Sequence, residues 1–244
     1  MAGRGVPVGV DADADTAGRM PDDGGMNRAM VGGLAWASIA HYFVVEEVVR
    51  RGWSLPYSRR TNVISDLGAV TCGTYEGREI CSPDHVWINV SFALVGAAAG
   101  VGAVLVRTVA PDLITRPALA LYAAGGVGSV LVGLFPEDTI GPLHGLGAGM
   151  FFVGANLGHV LLGWRLRRQS RPWAGQCGTA LAVLGGLGLV GSALLAADAD
   201  LGLGIGLVER VVVYGADLGF IATGLAIAAN GRARRRGSPS PRPR

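Results

Sequence analysis

Six stretches of this chain are long and apolar enough to leave water, and nothing else limits its fold as tightly. They run from about Met30 to Val49, Val86 to Val106, Pro117 to Phe135, His144 to Trp164, Cys177 to Ala197 and Leu207 to Asn230. A bilayer core of roughly 30 Å is crossed by about 20 apolar residues in a helix. In hydrocarbon, only helices and closed barrels satisfy every backbone N–H and C=O, and runs of this length select helices. The expected fold is an all-α, polytopic membrane bundle of six transmembrane helices. Composition agrees: 50% of the residues are hydrophobic and 16% are charged, where a soluble domain carries about 25% charge. A water-soluble enzyme and a disordered chain are both excluded. The 40 glycines follow no collagen period and fall inside the apolar runs, where membrane helices accept them.

Three regions follow. Residues 1–29 hold Asp11, Asp13, Asp15, Asp22 and Asp23 without an apolar core or a signal-peptide h-region, and read as a disordered tail. Met20 and Met26 are alternative starts. Residues 30–230 form the membrane domain. Residues 231–244 are rich in Arg, Ser and Pro and read as a second solvated tail.

All the basic residues are Arg, and their placement sets an expected orientation. Three lie in the N-terminal tail, two at 107–116, four at 165–171 and six in the C-terminal tail; the opposite loops hold five, all before His85. The positive-inside rule then places both termini in the cytoplasm and the protein in the cell membrane as a multi-pass chain. The net charge of +3 is an orientation signal with an affinity for anionic lipid, so no nucleic-acid partner is expected.

The unusual residues collect on the outward side. Cys72 and Cys81 sit in the long first loop, where a disulfide is allowed and the short separation can be closed by one. They can also be two free thiols, or hold zinc with His85 at a spacing that fits no common template. Cys177 reads as a packing residue. Asn62, Ser65 and Asp66 share a face at offsets of three and four. Asp66 suits a metal, a proton or an Arg, and Ser65 or Asp66 equally suits the cap of a short turn. Pro136 ends the third span and is followed by Glu137, Asp138 and His144. At a helix start His144 favours the neutral imidazole, a ligand or a general base; it is equally a surface residue.

Ionisable groups inside the spans are costly and face a partner or a wet cavity. Glu209 and Arg210, adjacent on a helix, point about 100° apart and need separate partners; Asp66 or Glu137 suits Arg210. Asp217 falls near mid-membrane, at the depth of His41, and the two can hydrogen-bond. Glu46 is a candidate for the wall of an outer cavity. His159 reads as interfacial.

Taken together, Asn62-x-x-Ser65-Asp66-Leu67-Gly68, Asn89 with Phe92 and Gly96, Gly133-x-Phe135-Pro136-Glu137-Asp138 with His144, and Glu209-Arg210 resemble the bacterial and archaeal "domain of unknown function 998" membrane proteins over about residues 30–230. The resemblance implies six membrane helices and brings no settled activity. The Ser-Asp turn with an outer His is also similar to the eukaryotic lipid-remodelling family that matures GPI anchors. It is more faintly similar to the CREST intramembrane hydrolases, which set Ser, Asp and His around zinc. Their paired His-x-x-x-His on the last helix is missing here, and only Asp66, His85 and His144 could be offered, so no metal set is assigned and no cofactor is implied.

The expected function is an outward-facing polar pocket that binds or modifies a lipid or another hydrophobic molecule. Asp66, His144 and Asp217 would do the acid–base work. Asn62, Ser65, Glu46, Asn89, Glu137, Asp138, Glu209 and Arg210 would line the pocket. Alternatives are a small terpene cyclase using a buried carboxylic acid such as Asp217, a non-catalytic membrane interaction protein, and a proton-coupled transporter. Oligomeric state is left open.

Overall fold

A computed structural model describes residues 23–109, 115–169 and 172–237. Six helical stretches among them are long and apolar enough to cross a membrane. The first is broken in two, α1 (Asp23–Ser38) and α2 (His41–Arg51). The others are α3 (His85–Val106), α4 (Thr115–Leu134), α5 (Gly141–Arg167), α6 (Pro172–Ala196) and α7 (Ile205–Gly237). Helix α1 begins at Asp23 rather than near Met30, and α7 runs on to Gly237 rather than stopping near Asn230. The expected tails therefore lose residues 23–29 and 231–237 to helix. Their remaining parts, residues 1–22 and 238–244, lie outside the described residues.

Consecutive helices α3 to α6 pack side by side, α7 packs on α6, and α1 closes the ring against α7 and α3. Small residues let the backbones approach. A Cβ on Gly96 would lie 2.3 Å from the Gly126 carbonyl oxygen, and one on Gly224 would lie 2.3 Å from that of Gly33. Contact this close replaces the hydrophobic drive that helices lack inside lipid. Large apolar side chains stay exposed on the outer faces, among them Val44, Val104, Val190 and Leu225. Such a belt suits hydrocarbon surroundings. Cys177 is exposed on this surface rather than packed inside.

Six crossings bring the chain's described ends to one side. The opposite side, called the far side below, is built mostly from residues 52–84. It carries a one-turn 3-10 helix, Ser65–Gly68, and a hairpin of β1 (Gly73–Tyr75) and β2 (Arg78–Ile80). Glu76 and Gly77 both have positive φ, 46° and 76°, the backbone that a tight two-residue hairpin turn requires. A Cys72–Cys81 disulfide ties the base of the hairpin.

The break between α1 and α2 has a side-chain cause. His41 Nδ1 takes the Ser38 carbonyl at 2.7 Å, and Ile39 and Ala40 N–H fall back to carbonyls three residues earlier. A side chain inserted into the helical ladder interrupts it. His41 Nε2 meets Ser91 Oγ at 3.1 Å, so His41 is committed at this break and is not the expected partner of Asp217.

Candidate functional site

The 3-10 turn turns successive residues by about a third of a circle, and it sends Ser65 and Asp66 to different neighbours. Asp66 is fully buried. Its carboxylate accepts from Val63 N–H at 3.0 Å, Asn62 Nδ2 at 3.1 Å and Arg78 Nε at 2.9 Å. Arg78 also reaches toward Glu137 Oε1, 3.7 Å from its Nη2. Burial first, and then a hydrogen bond to Asp66 and its charge, push the Glu137 carboxyl well above the usual carboxylate range. A carboxylic acid beside a carboxylate, with one guanidinium between them and solvent, follows. Burial works against the charge of Arg78, and Asp66 more than offsets it. The hairpin thus plugs its arginine into a buried acid pair, while Tyr75 O–H donates to the Glu137 carbonyl at 2.8 Å. The nearby Asp138 accepts from Val70 N–H and from the N–H and hydroxyl of Thr71. Burial pushes its pKa up, but these donors hold the carboxyl below its ordinary value. Asn89 donates to the Gly68 carbonyl at 2.8 Å. Asp138 and Asn89 therefore hold the loop in place.

Ser65 points the other way. Its Oγ lies 2.9 Å from His144 Nε2 and 3.2 Å from Glu209 Oε1. His144 Nδ1 lies 2.9 Å from the Phe135 carbonyl. A carbonyl only accepts, so Nδ1 carries the proton and Nε2 of the neutral ring is an acceptor; the single Ser65 hydroxyl proton is shared between that nitrogen and Glu209 Oε1. Glu209 also accepts from Ile64 N–H. Ser65 and Glu209 open on an internal cavity of about 30 Å³, room for about two waters. Its walls are mainly apolar and include Phe92, Phe151 and Val213; Tyr42 and Asp217 lie along it deeper in the bundle. Both carboxyl oxygens of Asp217 and the Tyr42 hydroxyl lack a protein partner.

Glu46 and Arg210 form a third group. Arg210 Nη1 donates to the carbonyls of Arg59, Asn62 and Gly206 at 3.0, 2.8 and 2.9 Å, and Nη2 donates to the Tyr57 hydroxyl. Its acid partner is Glu46, 3.4 Å away, and not Asp66 or Glu137 as expected. Tyr214 O–H completes the shell of Glu46 at 2.7–2.8 Å. Arg210 is therefore a clamp that holds the loop before the 3-10 turn against α7.

His159 is fully buried rather than interfacial. Its Nδ1 accepts from Tyr122 O–H at 2.6 Å, and its Nε2–H donates to the Ala216 carbonyl at 2.8 Å. Arg78, Tyr57, Tyr214 and Tyr42 were not singled out from the sequence. For Arg78 one signal existed: it was an outer-loop arginine without an assigned acid. Among the described residues, no group of three or more His, Cys, Asp or Glu is placed to hold a metal.

A six-helix membrane bundle with a buried polar site at its far end is the class that this architecture defines. The chain belongs to the family described as "Protein of unknown function (DUF998)", whose model matches residues 30–226. No curated protein and no solved structure matches it.

Proposed function

We propose that the chain is a lipid-modifying protein of the cell membrane, with Ser65 and His144 as the reacting pair on an outward-facing site. One observation carries this reading: the serine hydroxyl lies on the free nitrogen of a histidine whose other nitrogen is fixed by a backbone carbonyl, beside a cavity with mainly apolar walls. A nucleophile on an oriented base is the minimum for acyl transfer. The Ser65 hydroxyl would attack the carbonyl of a lipid carboxylic ester while its proton moves to His144 Nε2. The ester C–O bond then breaks, and the imidazolium returns the proton to the departing alcohol. Water or a second alcohol would release the acyl group by the reverse sequence. In this reading His144 takes the place of Asp66 as the general base, since Arg78 and Asn62 donate to the Asp66 carboxylate.

The outward assignment rests on the arginine count and fits the Cys72–Cys81 disulfide, a bond of oxidising compartments.

The test is labelling of the purified chain by a fluorophosphonate, which loses fluoride to an activated serine. Label on Ser65, lost in Ser65→Ala and His144→Ala, is expected. An unlabelled folded wild type, or label unchanged in Ser65→Ala, overturns the assignment.

A further inference from the structure

A second feature lies outside the Ser65–His144 site. A groove of about 970 Å³ opens on the lipid-facing surface between α2, α6 and α7, within the size range of small-molecule sites. Its wall is apolar along Leu184, Leu187, Leu207 and Leu218, and its far-side end is ringed by Glu46, Glu47, Arg59 and Arg210. Arg210 and Leu218 are eight residues apart on one helix, so the charged end and the leucine wall are offset by about 12 Å along the membrane normal.

The charges at the far end do not balance. Glu47 is shared by three arginines, Arg50 at 2.7 Å, Arg51 at 2.8 Å and Arg59 at 2.6 Å. Glu46 answers Arg210 alone. Four guanidinium groups thus gather around Glu46 and Glu47, with Glu209 also within reach of the Arg210 charge, leaving a surplus of one positive charge. Arg51 and Arg59 are largely exposed, and Arg210 keeps its Nε–H without a partner. Arg50 and Arg51 end α2 and Arg59 lies in the far-side loop, whereas residues 135–140 and 197–204 on the same side hold no arginine. A positive end on a leucine-walled trough is complementary to one kind of occupant.

We infer that this groove is a binding site for an anionic phospholipid of the surrounding leaflet. The phosphodiester sits against Arg59, with Arg51 joined to that end of the groove through Glu47, and one acyl chain lies along the leucines toward Leu218. The inference rests on the membrane reading but not on the chemistry assigned to Ser65.

Native mass spectrometry of the full chain, released from nanodiscs of phosphatidylcholine with graded phosphatidylglycerol, tests it. Phosphatidylglycerol should be retained about tenfold over phosphatidylcholine. Arg51→Gln and Arg59→Gln, both at exposed positions, should each lower that preference about fivefold. Leu187→Trp, which fills the trough from an exposed position, should remove one bound lipid whatever its headgroup. Ser65→Ala should retain lipid like the wild type, so failure of the chemistry and failure of the groove read out separately. Equal retention of the two lipids, unchanged preference in both arginine variants, or displacement of the lipid by inorganic phosphate alone would overturn the inference.

Discussion

Two histidines on α5 use the same hydrogen-bond grammar in two different surroundings. Each gives one ring nitrogen to a backbone carbonyl, Phe135 for His144 and Ala216 for His159, and offers the other to a hydroxyl. Tyr122 O–H, the partner of His159, is fully buried, with the Phe220 and Trp36 rings packed edge-on around it. Ser65 O–H, the partner of His144, borders a cavity and has a second acceptor in Glu209. A histidine with every polar atom enclosed ties helices together. One whose hydroxyl partner opens on space is placed for chemistry. The contrast extends to the halves of the molecule: the half around His159 relies on close backbone packing, and the far half relies on paired charges.

The sharpest way to break this contrast is at Arg78. Its replacement by Met leaves Asp66 buried without a counter-charge, a change that costs about 3–5 kcal/mol in buried pairs. Guanidinium unfolding in detergent should show that loss, with protease sensitivity confined to the far-side loop. Unchanged stability would mean that charge pairing does not hold the far half.

Exchanging the two histidines in turn sharpens it. His159→Ala should lose about 3 kcal/mol of stability, since it opens a cavity and orphans the Tyr122 hydroxyl, and the fluorescence of the neighbouring Trp36 reports it. His144→Ala should lose only about 1 kcal/mol while fluorophosphonate labelling disappears. The reverse ranking would assign the structural tie to the wrong histidine.

Reduction of Cys72–Cys81 frees a short loop, worth about 2–3 kcal/mol by loop closure. Hydrogen exchange should then rise in the hairpin residues 73–80 and stay constant around Tyr122.

A pH slope acts on the same hairpin. Closed, the hairpin keeps Glu137 protonated; opened, that acid returns to the ordinary carboxylate range. Closure therefore binds a proton. The Glu137 contribution is full below that ordinary range and is lost as pH rises toward the raised value of the closed state, whereas the Asp138 contribution runs the other way and is lost as pH falls below the carboxylate range. Exchange rates corrected for intrinsic chemistry should grow with pH, and Glu137→Gln should flatten the slope.

The six crossings were legible because length and hydropathy are properties of a segment alone. Partners were not. Ser65 and Asp66 are neighbours in sequence, yet the tight pitch of a 3-10 turn separates them, one toward His144 and one toward Arg78. Arg210 was assigned an acid on the correct side of the membrane, but it reaches Glu46 because α7 packs on the first crossing, a contact between the chain's two ends. His159 was read as interfacial, whereas α5 continues to Arg167 and sets the ring about 12 Å before its end.

The interruption between α1 and α2 leaves an eleven-residue segment with two occupied faces. Tyr42 closes the inner chamber, while Phe43 and Glu46 form part of the trough open to lipid. One short partition is thus common to both compartments, so whatever seats itself in the trough bears directly on the wall behind which the serine lies.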